Sequence, residues 1–409
     1  MHPPLIDLLS NSARHMRASE IRELLKLLEA PGMISFAGGL PNPEAFPFEN
    51  LQLVINHVLA KHGREAFQYG VTEGHTKLRE AIAHGMGHVF GAPQSIGNVL
   101  VTTGSQQALN LLTQIFVNPG DVVLTENPSY LGALQTFRSY QARIEAVPVD
   151  QAGLRTDLLE QTLRRLRAEN KPPKFIYTIP NFQNPSGVTL SRERREQLVA
   201  LAEEYRVLLV EDDAYGLLRF EGEPEPLLKR LDASDRVVYL GSFSKILAPG
   251  FRVGWVAGPE EVVNRVAIAK QAQDLCTNTF GQYCVYEAIH HDRLFPHVAE
   301  IVKLYRGKRD LMLRQLAEQF PSAAVWSRPQ GGMFIWVTLP EGFDAAALLP
   351  QAVKHQVAYV DGTPFFPNGG GRNCFRLNFS YASDSQILEG IARLGRFVSE
   401  QLSSGSGRA

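Results

Sequence analysis

A lysine stands in this chain where a lysine is costly. Lys245 closes Gly241-Ser242-Phe243-Ser244-Lys245, directly after the apolar run Val237-Val238-Tyr239-Leu240, and Pro249-Gly250-Phe251-Arg252 follows. At the end of a buried strand an ammonium group is poorly solvated, so its charged form is disfavoured and its free amine becomes available. The chemistry open to a free amine is imine formation with an aldehyde, which is how enzymes hold pyridoxal phosphate. Ser242, Ser244 and Arg252 would then grip the phosphate. The competing reading is an ordinary surface lysine in a loop, and the rest of the chain has to decide between them.

Other segments point the same way. Glu211-Asp212-Asp213-Ala214-Tyr215 extends the apolar Val207 to Val210 with three acids in a row. Three like charges there are expensive unless one has a cationic partner, and a protonated pyridine nitrogen would serve. Asp212 beside that nitrogen would keep it protonated, so that the ring withdraws electrons from a substrate's α-carbon. Tyr215 would donate to the ring's phenolic oxygen. The alternative is acids that simply face solvent at a strand end. Gly104-Ser105-Gln106 precedes an apolar helix, where backbone N–H groups offer an anion site, or where Ser105 is a plain cap. Tyr130, in Asn127-Pro128-Ser129-Tyr130, is placed to stack on a flat ring or to fill an ordinary turn. Asn184, in Gln183-Asn184-Pro185-Ser186-Gly187, offers an amide, or simple turn chemistry.

These residues need elements to position them, and the pattern is α/β. Strands are expected at Val99 to Thr102, Val122 to Thr125, Ile144 to Val149, Phe175 to Ile179, Val207 to Val210, Val237 to Leu240 and Val253 to Ala257. Helices are expected at Gln107 to Phe116, Ser191 to Glu204 and Glu260 to Gln273. Alternation of this kind predicts a mostly parallel sheet covered by helices on both faces, with ligands at the carboxyl ends of the strands. The polar residues above fall at those ends. A long helix, Ala299 to Gln319, then changes the rhythm, and strands at Phe334 to Leu339 and Phe375 to Phe379 predict a smaller α+β domain. The expected division is an N-terminal segment at 1–45 that packs on the small domain, a large domain at 46–290 and the small domain at 291–409. Ser19 with Ile21, Leu24, Leu25 and Leu28 has helical spacing behind a capping residue.

Composition narrows the function classes. The 409-residue chain is 44% hydrophobic and 20% charged, with a formal net charge of −1. That balance suits a soluble globular protein and argues against nucleic acid or an anionic membrane as the main partner. Cys276, Cys284 and Cys374 are too few and too scattered for a disulfide framework or a zinc site, so a reducing, cytoplasmic setting is expected. Met1 to Ser10 lacks a signal-peptide pattern, and no run reaches transmembrane length. His84 and His88 stand four apart, but Gly85 and Gly87 weaken any helix there, so no metal is expected. Walker-type and dinucleotide fingerprints are absent.

Taken in order, the set Tyr69, Gly104-Ser105-Gln106, Asn127-Pro128-Ser129-Tyr130, Asn184-Pro185-Ser186-Gly187, Asp212-Asp213-Ala214-Tyr215, Ser242-Phe243-Ser244-Lys245, Arg252 and Arg376 resembles that of the fold-type I pyridoxal-phosphate-dependent aminotransferases. The likeness runs from about residue 19 to 398. Each motif alone is weak, and the ordered set is strong. It implies a large mostly parallel-sheet domain with a smaller α+β domain, pyridoxal 5'-phosphate as cofactor, and these roles. Lys245 holds the cofactor covalently and moves a proton at the substrate α-carbon. Asp212 pairs with the pyridine nitrogen. Asn184 and Tyr215 bond the ring oxygen, and Tyr130 stacks on the ring. Ser105, Gln106, Ser242 and Arg252 hold the phosphate. Tyr69 reaches the phosphate of a neighbouring subunit, which implies a homodimer. Arg376 clamps the substrate α-carboxylate, with Gly39 beside it. The chain departs from many family members in one place: Arg252 follows Lys245 by seven residues where eight is common.

Within the family, Ala18-Ser19-Glu20-Ile21-Arg22, Ser35-Phe36-Ala37-Gly38-Gly39-Leu40-Pro41, Thr103-Gly104-Ser105-Gln106-Gln107 and Gly331-Gly332-Met333-Phe334-Ile335-Trp336 are most similar to the 2-aminoadipate (LysN-like) and kynurenine aminotransferase II group. That likeness implies an N-terminal helix over the active site, with Arg22 either meeting a distal substrate carboxylate or simply solvated. Phe36, Tyr69 and Phe365 suit apolar side chains as readily as acidic ones. The expected activity is ping-pong transfer of an amino group from an L-amino acid (2-aminoadipate, glutamate, aromatic or aliphatic) to a 2-oxo acid, 2-oxoglutarate being the expected acceptor. A lyase, decarboxylase or racemase of the same fold uses the same cofactor and stays open. A non-catalytic cofactor-binding sensor is the rival from another class, but the residues before the first motif are too few for a DNA-binding domain.

Overall fold

In the computed structural model, residues 4–15, 32–85 and 94–404 are described. The predicted N-terminal helix with Arg22, and His88, lie outside them. An eight-stranded sheet runs through the middle: β2 (Val99–Thr102), β3 (Val122–Asn127), β4 (Arg143–Asp150), β5 (Gly153–Leu154), β6 (Phe175–Thr178), β7 (Leu208–Asp212), β8 (Val237–Ser242) and β9 (Gly254–Ala257). Their spatial order is β2-β9-β8-β7-β6-β3-β4-β5. Strands β8, β7, β6, β3 and β4 are parallel. Strand β9 runs against both β2 and β8. Every expected strand of this sheet is present within about two residues, and the short β5 was not expected.

Alternation along the strands assigns each side chain to a face. Val122, Leu124, Ile176, Leu209 and Val237 pack with Leu159, Leu163 and Leu198 of helices Thr156–Ala168 and Arg192–Glu204. Val123, Phe175, Tyr177, Val210 and Val238 belong to the opposite core, with Leu109 and Leu112 of helix Ser105–Phe116 and Val263 and Val266 of helix Glu260–Gln273. These strands are buried on both faces, so they read as continuous apolar runs until their last residues.

A second sheet is antiparallel and smaller, in the order β10 (Val325–Trp326), β11 (Phe334–Thr338), β14 (Cys374–Asn378), β13 (Val360–Asp361). The helices Leu294–Gln319 and Asp384–Ser404 pack together beside it. The segment β1 (Ile34–Ser35) pairs in parallel with β12 (Val357–Ala358). Its extension continues as Phe36, whose N–H donates to Ala358 O and whose carbonyl accepts from Asn378 N. The chain before the large sheet is thereby laced to the small one. Among the described residues no helix is long and apolar enough to cross a membrane.

Candidate active site

Parallel strands end on the same edge, and the candidate residues are gathered there for that reason. Strand β3 ends just before Tyr130, β6 just before Asn184, β7 at Asp212 and β8 at Ser242, three residues from Lys245. Because β9 runs the other way, its beginning lies on this edge too. Gly254 faces both Thr102 and Ser242 across the ladder, which brings Arg252 beside the start of helix Ser105–Phe116.

The three consecutive acids show how alternation sorts function. All three are buried, so the solvent-facing reading is wrong. Glu211 points to the side of Leu209 and accepts the backbone N–H groups of Leu228 and Lys229 at 2.9 Å each. It caps the short helix Leu228–Leu231. Asp213 accepts from Asn181 Nδ2 at 3.0 Å and Tyr239 Oη at 3.2 Å. Asp212 points to the side of Tyr177, whose hydroxyl donates to Oδ2 at 2.7 Å. Its other oxygen, Oδ1, is buried and has no partner. Burial pushes the Asp212 carboxyl up to about 7, against the pull of the Tyr177 hydrogen bond. A buried carboxylate oxygen left bare is costly, and a protonated ring nitrogen is the kind of group that completes it.

Lys245, just past the end of β8, is half-buried. Its Nζ donates to Gly39 O at 2.8 Å, and burial, with Arg252 and Arg376 nearby, lowers its pKa to about 8. The free amine is therefore easier to reach than in an ordinary lysine. Gly39 is set by the β1 extension, and its Cα lies over Phe334, whose Cζ would be 3.5 Å from an added Cβ.

Arg376 is 2% exposed on β14, between Trp336 and Val360 in the ladder. Its Nη1 donates to Asn184 Oδ1 at 2.7 Å and its Nη2 to Ala37 O at 2.9 Å. The guanidinium lies 4.2 Å from the Phe334 ring centre and 5.3 Å from that of Phe365. Burial lowers its pKa to about 10, and its Nε is unpartnered. Among the described residues no carboxylate neutralises it, so this is a desolvated cation in want of an anion. Tyr215 is buried against Phe334, edge to face, and burial raises its phenol well above the ordinary range.

The expected phosphate side is a cradle of backbone. Gly104 has φ +78°, and a Cβ there would come 2.5 Å from Arg252 Nη2. A Cβ on Gly254 would come 2.7 Å from Ser105 N. Both positions must therefore be glycine for Arg252 to lie against the helix start, where first-turn N–H groups are free for an anion. Arg252 is exposed, with long contacts of 3.4 Å to Ser244 Oγ and 3.3 Å to Thr103 O. Ser242 Oγ accepts from Ser244 N at 3.1 Å. The Gln106 side chain is engaged elsewhere, donating to Gly132 O and Thr136 Oγ1 and accepting from Tyr130 Oη at 3.3 Å. What Gln106 offers an anion is its main-chain N–H; its side chain anchors Tyr130.

Some expectations are revised. Phe36 is fully buried in the core and does not line the site: an added Cβ on Gly390 would lie 2.6 Å from its ring. Tyr69, expected to reach a neighbouring subunit, is a separate case: it is 78% exposed, beside Phe67 at 71%. Sequence reasoning passed over Tyr177, Glu126, Gln183 and Phe334. Glu126 is buried and accepts from Thr178 Oγ1 at 2.6 Å and Gln183 Nε2 at 3.1 Å. Gln183 Nε2 also donates to Pro128 O at 2.7 Å, tying the Tyr130 turn to the Asn184 turn. Burial pushes Glu126 up to about 7. An acid at the end of an apolar strand was a readable signal, the same one that singled out Asp212.

Comparison with known proteins agrees with this geometry. The model of the aminotransferase class I and II family matches residues 38–394. The chain is 47% identical over 393 residues to the aromatic-amino-acid aminotransferase 1 of Thermococcus litoralis, covering 96% of this chain and 94% of that one. The crystal structure of the multiple substrate aminotransferase from Thermococcus profundus superposes with a TM-score of 0.94 at 45% identity, covering 98% and 100% of the two chains. That of the α-aminoadipate aminotransferase LysN from Thermus thermophilus, complexed with N-(5'-phosphopyridoxyl)-L-leucine, superposes at 0.91 and 38% identity, covering 98% and 100%. With that match over most of its length, the chain belongs to the class I and II aminotransferases.

Proposed function

We propose that this chain transfers the amino group of an L-amino acid to a 2-oxo acid in two half-reactions, with pyridoxal 5'-phosphate as cofactor. The residues fit that group: the observation that carries the reading is Asp212 Oδ1, buried and unpartnered on the face it shares with Tyr177, on the edge that carries Lys245. When bound, the cofactor supplies a ring that accepts electrons from the substrate α-carbon. Asp212 holds the ring nitrogen protonated, and Tyr177 orients Asp212. Asn184 and Tyr215 bond the ring oxygen, and Tyr130 covers the ring. Ser105, Gln106, Ser242 and Arg252 hold the phosphate. Arg376 takes the α-carboxylate in its planar fork, with Asn184 and Gly39 alongside. The lowered pKa of Lys245 suits an amine that first holds the cofactor and then carries a proton at the α-carbon.

The substrate range extends over 2-aminoadipate, glutamate, aromatic and aliphatic amino acids, with 2-oxoglutarate as acceptor. The names of the relatives support that breadth, as does the aromatic wall of Phe334, Trp336 and Phe365. Arg22 is assigned to a distal substrate carboxylate. The protein works as a cytoplasmic homodimer in which Tyr69 completes the neighbouring phosphate site; its exposure together with Phe67 and Val71 supports an interface there. The chain divides into an N-terminal segment at 1–45, a large domain at 46–290 and a small domain at 291–409. An absorbance spectrum tests the reading. A yellow band that bleaches with an L-amino acid and returns with 2-oxoglutarate supports amino transfer. Binding without that cycle would favour the lyase, decarboxylase, racemase or sensor readings.

A further inference from the structure

Away from the strand edge, helix Phe48–Ala66 packs along helix Thr279–His290. His57 and His62 of the first helix converge on Glu287 of the second. His57 Nε2 is 3.7 Å from Glu287 Oε2, and His62 Nε2 is 3.6 Å from Oε1. One donor atom from each of the three residues falls within 4.8 Å of the other two. These separations are too long for hydrogen bonds. They lie near the edge length of a coordination polyhedron, so small side-chain rotations would bring the three onto one ion: with bonds of about 2.0–2.2 Å, two ligands of one tetrahedral ion stand roughly 3.3–3.6 Å apart.

Glu287 is the informative member. Its side chain is 4% exposed, and its Oε2 is buried without a hydrogen-bond partner. A carboxylate placed so between two helices lacks the pairing that normally offsets its desolvation. His291 Nε2 comes within 3.1 Å of that oxygen without making an aligned hydrogen bond, and its ring packs edge-on to His57 at 5.3 Å. The His57 and His62 side chains are 39% and 30% exposed, so an ion has a path from solvent. None of these residues takes part in the site around Lys245.

We propose that His57, His62 and Glu287 form a three-ligand binding site for a divalent transition-metal ion of the zinc class, with water completing its coordination. Two imidazoles and one carboxylate, with no thiolate, suit zinc, cobalt or nickel and not magnesium or calcium. The ion bridges two helices whose other ends lead to Tyr69 and to Asn278, so it braces the scaffold and takes no part in transamination. Before the chain folds, the ligands lie on segments far apart, so binding stabilises the folded state.

The test uses untagged holoenzyme, stripped with a chelator and titrated at neutral pH with zinc, and separately with cobalt. The expected result is one ion per chain at micromolar affinity or better, a tetrahedral cobalt absorption band, and a Tm raised by several degrees. His57→Asn and His62→Asn should each weaken metal affinity about 100-fold or more while leaving the cofactor spectrum and transamination intact. Glu287→Gln serves as a third variant should either histidine change fail to fold. Absence of uptake below about 100 µM zinc by the wild type, or undiminished uptake by the variants, overturns the proposal. So does a stability gain that follows pH alone and ignores added metal, since protonated histidines around Glu287 would then be the whole account.

Discussion

Arg376 and Asn184 are joined by a 2.7 Å hydrogen bond across 192 residues of sequence. The bond ties the small antiparallel sheet to the turn after β6, so the residue assigned to the substrate carboxylate and the residue assigned to the ring oxygen are positioned by one contact. Arg376→Lys keeps the charge but loses the fork, and Asn184 loses its partner. The Michaelis constant for every amino donor should rise, and kcat/KM should fall on the order of 10²-fold. Steady-state kinetics with a dicarboxylic and an aromatic donor check it; a loss confined to one donor class would mean that Arg376 reads the side chain instead.

Lys245→Ala should leave the circular dichroism spectrum and the elution volume unchanged while lowering turnover on the order of 10⁴-fold or more, since the proton carrier at the α-carbon is gone. Substantial residual activity would remove Lys245 from the role assigned here.

The lowered pKa of Lys245 has its own signature. Cofactor-free enzyme should recapture pyridoxal phosphate faster as pH rises, with the rate levelling above about 8 and not near the ordinary lysine value of 10.5. Stopped-flow absorbance across pH 6–11 reads the midpoint, and a midpoint near 10.5 would show that burial does not perturb this amine.

Asp212 titrates near 3.8 when unfolded and about 7 when folded without cofactor. A folded-state pKa raised in this way contributes stability that is fully present below the unfolded value and is lost as pH rises through the folded one. Relative to Asp212→Asn, the cofactor-free wild type should therefore lose on the order of 3 kcal/mol of stability between pH 5 and pH 8, and much less once the cofactor is bound. Denaturant titrations at the two pH values measure the difference. A gap that does not change with pH would mean that Asp212 ionises normally in the fold.

Tyr69 tests the assembly. Tyr69→Ala and Lys245→Ala, each nearly inactive alone, should recover activity when mixed, because one active site of a hybrid dimer then holds both an intact Lys245 and an intact partner Tyr69. Mixing without recovery, in dimers shown to exchange subunits, would place Tyr69 in its own subunit's chemistry or in none.

Much of the site was legible before the fold was known, and for a definite reason. Apolar strands buried on both faces leave polar residues only at their ends, and parallel strands put those ends on one edge. Lys245, Asp212, Asn184, Tyr130 and Ser242 could thus be named as candidates from local sequence. Arg376 needed only its apolar flanks and the family likeness. The local chemistry suggested the cofactor class, and the likeness of the ordered motifs to the family implied it.

Other assignments waited for packing. Which of Glu211, Asp212 and Asp213 lacks a partner depends on Leu228, Asn181, Tyr239 and Tyr177, all distant in sequence. The Gln106 side chain reads as a phosphate ligand until Thr136 and Gly132 engage its amide, which leaves that role to the main-chain N–H. Phe36 reads as a pocket aromatic until Gly390 admits it to the core. His57, His62 and Glu287 look like three unrelated surface residues until two helices bring them together. Sequence determines side-chain chemistry and local periodicity; desolvation and long-range pairing exist only once particular elements pack against each other, and those two effects decide what each polar group is free to do.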